Sequence, residues 1–103
     1  MKLAFKQATA FLAYVSNDVR LQIMCEILHS AKTAGDIAGT IGLPCATVSQ
    51  HLKRLRDAEL VYFQTAERET YYMLAPGIAG NLLGFLEAHF PSITTLHAGH
   101  EAA

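Results

Sequence analysis

The chain has 103 residues, 51% of them apolar, and a net charge of −1 at pH 7. That length supports one domain with a modest core and leaves no room for a separate catalytic domain. Its apolar stretches are interrupted by Lys, Asp, Glu or His well short of the ~20 residues that span a bilayer. The first residues also lack a signal-peptide cleavage pattern, so the expectation is a cytoplasmic protein with no membrane partner. In that compartment Cys25 and Cys45 are expected as free thiols rather than as a disulfide framework. The near-neutral balance gives no general affinity for phosphate, but Lys53, Arg54 and Arg56, with His51 beside them, concentrate positive charge in one short stretch. No nucleophile-base pair, paired carboxylates or glycine-rich phosphate loop is visible, which argues against an enzyme, and no cofactor is expected.

Continuous structure is expected from about Leu3 to Phe90, with a domain over residues 1–91 and a flexible tail over 92–103. A first helix places Ala4, Ala8, Phe11, Leu12 and Val15 at helical spacing. Ser16-Asn17-Asp18 offers a cap for the next one, since a side-chain oxygen there can accept from unpaired first-turn amides. In that second helix Leu21, Met24, Cys25 and Leu28 define a buried stripe reaching about His29. Thr33 with Asp36 resembles a capping box and opens a short helix on Ile37, Ala38 and Ile41. Gly39 and Gly42 bracket its end, and Leu43-Pro44 forces a turn.

A fourth helix is predicted from Cys45 to about Ala58, with Val48, Leu52 and Leu55 inward and Ala46, Thr47, Ser49, Gln50, Lys53 and Arg54 outward. Two short helices across a tight turn define a helix-turn-helix. Leu60 to Phe63 and Thr70 to Leu74 are rich in β-branched and aromatic residues around the polar segment Ala66-Glu67-Arg68-Glu69, and they predict a hairpin. Pro76 suits the first turn of a last helix, whose apolar face would carry Ile78, Leu82, Phe85, Leu86 and His89 until Pro91. The expected fold is mainly α with a β-hairpin wing, in the order α-α-α-α-β-β-α: a winged helix-turn-helix.

Between Val15 and Phe90 the sequence resembles the ArsR/SmtB family of transcriptional repressors. The residues that carry the resemblance are Asn17 to Ile23, similar to the family's P-x-R-L-x-I-L second helix, and Ser49 to Val61, similar to its SQHLxxLRxxGLV recognition helix and first strand. Tyr71 to Leu74 is similar to the closing wing strand. The resemblance implies a homodimer built from the first and last helices, double-stranded DNA as partner, and release from DNA on binding an inducer. At the positions of the family's third-helix cysteine pair stand Thr33 and Gly35; at those of its last-helix Asp-x-His stand Pro76 and Ile78, leaving His89. No metal site of the usual design is therefore expected.

For DNA contact the candidates are Thr47, Ser49, Gln50, His51, Lys53, Arg54 and, in the wing, Arg68. Lys and Arg supply salt-dependent attraction to phosphates, and Ser and Gln can bond base edges. Their alternative is an ordinary solvated helix face, and for His51 a packed, hydrogen-bonded histidine. Glu67 and Glu69 flank Arg68 and oppose DNA approach by the wing. The operator expected of a symmetric dimer is an imperfect palindrome, and the dimer-forming candidates are Leu82, Phe85, Leu86 and Phe90. Regulatory-thiol candidates are Cys45, at a helix start where the dipole favours a thiolate, and Cys25, expected to face the core. His97 and His100 form an H-x-x-H that leaves a metal-responsive repressor open, beside a winged-helix interaction module that does not bind DNA.

Overall fold

The computed structural model describes residues 1–92. His97, His100 and nearly all of the tail expected over 92–103 lie outside them. Elements follow as α1 (Phe5–Val15), α2 (Asp18–Glu26), β1 (Lys32–Thr33), α3 (Ala34–Ile41), α4 (Cys45–Asp57), β2 (Val61–Ala66), β3 (Glu69–Leu74) and α5 (Ile78–His89).

Capping chemistry sets the boundaries. Asn17 Oδ1 accepts from the Arg20 amide at 3.0 Å and starts α2, and Thr33 Oγ1 accepts from the Asp36 amide at 3.1 Å and starts α3; each satisfies a first-turn donor that the helix itself cannot. Helix α3 stops at Gly42, whose φ of 75° is left-handed, and the amides of Gly42 and Leu43 both end on the Ala38 carbonyl. Pro44 then carries the chain into α4 with an extended backbone and no amide to leave unpaired.

Packing converts these helices into a domain. Ile23 and Met24 of α2, Ile37 of α3, and Val48, Leu52 and Leu55 of α4 are fully buried. Val15, Ile27, Leu60, Val61, Ala79 and Leu83 close the same core. The sheet has the order β1-β3-β2, antiparallel throughout. Strand β1 pairs Lys32 with Tyr72 and Thr33 with Tyr71, which ties the wing to the start of α3. Nothing in the sequence signals β1, because two residues are too few to show a period.

Several expectations are corrected. The second helix ends at Glu26 with Ile27 as its cap, short of His29. Cys25 does not face the core; it is exposed, and Leu21 and Leu28 are half-buried. Apolar residues cover more than one face of α2, so two stripes satisfy helical spacing. The stripe through Ile23, Met24 and Ile27 meets α3 and α4 and takes the core, leaving Leu21, Cys25 and Leu28 to line a surface groove. In α5, which begins at Ile78 rather than in the turn at Pro76, the buried residues are Ala79 and Leu83, while Ile78, Phe85 and His89 are exposed. Leu60 precedes the first wing strand instead of opening it: Glu59, at φ 61°, reverses the chain and the Leu60 amide returns to the Leu55 carbonyl at 3.0 Å.

The wing turn is the strained point of the backbone. With Ala66 paired to Glu69, Glu67 and Arg68 form the turn at φ 51° and 70°, the geometry that tight hairpins reserve for Asn-Gly. A residue with a Cβ in the left-handed region costs roughly 1–2 kcal/mol. Replacing Glu67→Asn together with Arg68→Gly is expected to raise stability by about 1–2 kcal/mol, measured as an upward shift of the urea midpoint at unchanged slope. A lowered midpoint would show that the acidic turn is held by contacts other than its backbone.

Candidate nucleic-acid interface

Helix α4 presents two unlike faces. Its inner one is the buried set Val48, Leu52 and Leu55; its outer one carries Ser49, Gln50, Lys53 and Arg54, all exposed, with Thr47 and His51 half-buried at the margins. Among the described residues the ion pair found is Lys32–Glu26, at 2.9 Å, so Lys53 and Arg54 remain unneutralised on the outer face. Basic residues in the last turn of α4 also complement the negative end of its dipole. Arg56 is diverted from this face: its guanidinium carbon lies 4.8 Å from the centre of the Phe63 ring on β2, and Phe63 in turn meets Tyr72 of β3 with ring centres 6.2 Å apart. A cation-π contact thus joins the end of α4 to the wing.

The His51 imidazole is engaged from below. Its Nδ1 accepts from Arg20 Nε at 3.2 Å, and Arg20 Nη1 also donates to the Tyr14 carbonyl at 3.0 Å. Burial lowers the His51 pKa, the nearby Arg20 and Arg54 charges lower it further, and Asp18 pulls weakly the other way. The Arg20 contact escapes sequence reasoning, because 31 positions separate the partners; its one visible trace is that Arg20 belongs to the second-helix motif.

At the wing tip Arg68 is exposed between Glu67 and Glu69. Glu69 Oε2 accepts from the Tyr71 hydroxyl at 3.1 Å, a bond to the neutral phenol that, with the carboxylate's charge, raises the Tyr71 pKa. The wing therefore offers one cation framed by anions.

The two thiols occupy different surroundings. Cys45 is exposed at the first residue of α4, where the Pro44 carbonyl already takes the amides of Thr47 and Val48 at 3.0 and 3.2 Å. Cys25 lies at the edge of an open groove of about 1160 Å³ between α2 and α5, lined by Leu21, Leu28, Leu83, Leu86 and Phe90 among others. Although the residue is exposed, it is one of those that line the groove. Burial pushes its pKa up, and the carboxylates of Glu87 and Glu26 add to the shift. Of the dimer-forming candidates, Phe85 and Phe90 are 57% and 74% exposed, whereas Leu82 and Leu86 are half-buried. Among the described residues no group of three or more His, Cys, Asp or Glu side chains converges as a metal site, and no helix is long and apolar enough to cross a membrane.

A helix-turn-helix whose second helix carries free cations and amide or hydroxyl groups outward, followed directly by a β-hairpin, defines a winged helix-turn-helix DNA-binding protein. A family model described as "Bacterial regulatory protein, arsR family" matches residues 17–62. The HTH-type transcriptional regulator YgaV of Escherichia coli is 33% identical over 75 residues, covering 72% of this chain and 76% of that protein. Two solved structures superimpose closely: HlyU from Vibrio cholerae, with a TM-score of 0.80 and 25% identity over 89% of this chain and 100% of that one, and NolR from Sinorhizobium fredii, with 0.79 and 26% over 89% and 98%. The chain belongs to the ArsR family, and it is a DNA-binding transcriptional regulator rather than an enzyme.

A raised pKa leaves little thiolate at Cys25 near neutral pH, and thiolate is the reactive form. Iodoacetamide at about pH 7 is therefore expected to label Cys45 first. Labelling of Cys25 should rise only as pH passes above the ordinary thiol range, read by peptide mass mapping. Equal rates at neutral pH would contradict the shielding of Cys25.

Proposed function

We propose that the protein is a homodimeric repressor that reads an imperfectly palindromic operator in double-stranded DNA with α4. The observation that supports this most directly is the contrast within α4: an inner face with no exposed surface fixes the helix, and Ser49, Gln50, Lys53 and Arg54 stand free on the outer face. In this reading Lys53 and Arg54 bind phosphates, Gln50 and Ser49 read base edges, Thr47 and His51 flank the contact, and Arg68 adds a minor wing contact. Assembly through α1 and α5 accounts for the unpartnered apolar side chains Phe5, Leu12, Phe85 and Phe90, a quantity of exposed apolar surface typical of interfaces. Two recognition helices related by a twofold axis then enter successive major grooves about one turn apart. Repression follows from occupancy of promoter DNA; among similar structures, BigR from Xylella fastidiosa, 26% identical to this chain, is described as a transcriptional repressor.

The regulatory input in this reading is thiol chemistry at Cys45. The thiol is exposed at the end of α4 that carries the positive pole of its dipole, and an adduct there adds bulk, and in oxidised form charge, beside the phosphates that α4 approaches.

Sedimentation is expected to give a dimer at micromolar concentration, and Lys53→Ala and Arg54→Ala should each weaken binding to all duplexes and lower the salt slope by roughly one. The reading fails if the double variant keeps both its affinity and its salt dependence in fluorescence anisotropy. For the thiol, mild peroxide should abolish the gel shift of the wild type and spare that of Cys45→Ser. Equal sensitivity of the two proteins would place the input elsewhere.

A further inference from the structure

The contact between Arg20 and His51 has a chemical direction. An arginine Nε carries a proton and no lone pair, so it can only donate; at 3.2 Å it requires the His51 Nδ1 to be unprotonated. A neutral imidazole with a free Nδ1 lone pair carries its proton on Nε2. Among the described residues that atom has no hydrogen-bond partner, and no side-chain nitrogen or oxygen there is buried without one, so Nε2–H reaches solvent at the edge of the α4 outer face. Arg20 is itself fixed by its second arm on the Tyr14 carbonyl at 3.0 Å, and its backbone is fixed by the Asn17 cap.

We propose that Arg20 is a positioning residue for operator recognition: through His51 it presents an Nε2–H donor of fixed tautomer and orientation at the DNA-facing margin of α4, while joining that helix to the end of α1. This rests on the reading of α4 as the DNA-contacting helix. It goes beyond that reading by giving a partly buried residue, distant in sequence and outside the outer face, control over what the face offers to a base.

Protonation breaks the arrangement, because an imidazolium has no acceptor for Arg20. The charged groups around the ring are Arg20 and Asp18 of α2 and Arg54 of α4; together with burial their balance lowers the pKa and keeps the ring neutral at physiological pH. Below the titration the ring gains a charge, which attracts any duplex, and loses its tautomeric definition. Preference for operator over random DNA is thus expected to fall with pH while binding to random DNA does not weaken.

The test uses the full chain and a duplex selected by the wild-type protein from a random pool. Long-range ¹H–¹⁵N NMR of the free protein is expected to show His51 as the Nε2–H tautomer. Arg20→Lys, which keeps the charge but cannot reach both partners, should mix the tautomers and reduce the operator-to-random preference at about pH 8 by roughly five- to tenfold, the effect of one hydrogen bond. In a His51→Ala background, where no ring acceptor remains for Arg20, Arg20→Lys should have no further effect on preference. If Arg20→Lys does not fold, His51→Ala alone carries the test, since the Arg20–Tyr14 bond survives in it: its preference should be reduced and should no longer fall as the pH is lowered. An unchanged tautomer, an unchanged preference, or additive effects in the double variant would overturn the proposal while leaving DNA recognition by α4 intact. A wild type with no sequence preference at all would overturn both.

Discussion

Burial of one narrow face of α4 is the constraint on which the rest of the molecule depends. Val48, Leu52 and Leu55 enter a core whose other fully buried side chains are Ile23 and Met24 of α2 and Ile37 of α3. Full burial of such a side chain contributes about 1.5–3 kcal/mol, so these contacts dominate the stability available to a domain of this size. Once that face is fixed, the roll of α4 about its axis is fixed too, and with it the direction of Ser49, Gln50, Lys53 and Arg54. The turn at Gly42 to Pro44 sets the angle at which α4 leaves α3, through a left-handed glycine and a proline that together admit few alternatives. The outer face proposed to read DNA is therefore a by-product of core packing, and it requires no structure of its own.

The same logic explains which parts of the molecule were legible in the sequence. Elements with one apolar face could be placed from spacing alone: α4 has its inner residues at Val48, Leu52 and Leu55 as expected, and the caps at Asn17 and Thr33 lie where their side chains suggested. Helix α2 was misread in part because its apolar residues fall on more than one face, between Asp18, Arg20, Gln22 and Glu26. Spacing cannot decide between the expected Leu21/Met24/Cys25/Leu28 and the observed Ile23/Met24/Ile27, which share only Met24; the position of α3 and α4 decides. Helix α5 carries the same ambiguity, with Ala79 and Leu83 taking the core and the larger Phe85 left outside. Strand β1 and the Arg20–His51 bond were invisible for a related reason, since each exists only because distant segments meet.

Where the misread stripes ended up is informative in itself. Leu21 and Cys25 of α2, with Leu28 just beyond its end, line an open groove together with Leu83 and Leu86 of α5 and Phe90 at its cap, and the first helix adds exposed Phe5 and Leu12. Sequence spacing identified apolar surfaces, yet the lone chain does not cover all of them. Exposed apolar area on this scale costs solubility unless it is covered, so the helices bracketing the reading head are better suited to assembly than to solvent.

Electrostatics completes the division of labour. A chain with net charge −1 gains nothing from its total when it approaches DNA, so attraction has to come from where the charges lie. The wing does not supply it, because Arg68 is framed by Glu67 and Glu69, and Arg56 is spent on the Phe63 ring. Lys53 and Arg54 remain, free of carboxylate partners among the described residues, at a range of a few ångströms from whatever α4 touches. At physiological ionic strength charges farther than about 8 Å are largely screened, so only acids close to the pair, such as Asp57 one turn further along α4, subtract from it. In the proposed reading, a face with so few cations makes few phosphate contacts, and a larger share of binding is expected to fall to the groups that read base edges. That places weight on the exact tautomer and orientation of donors at the margin of α4, and the neutral His51 held by Arg20 is one whose proton position the fold itself dictates.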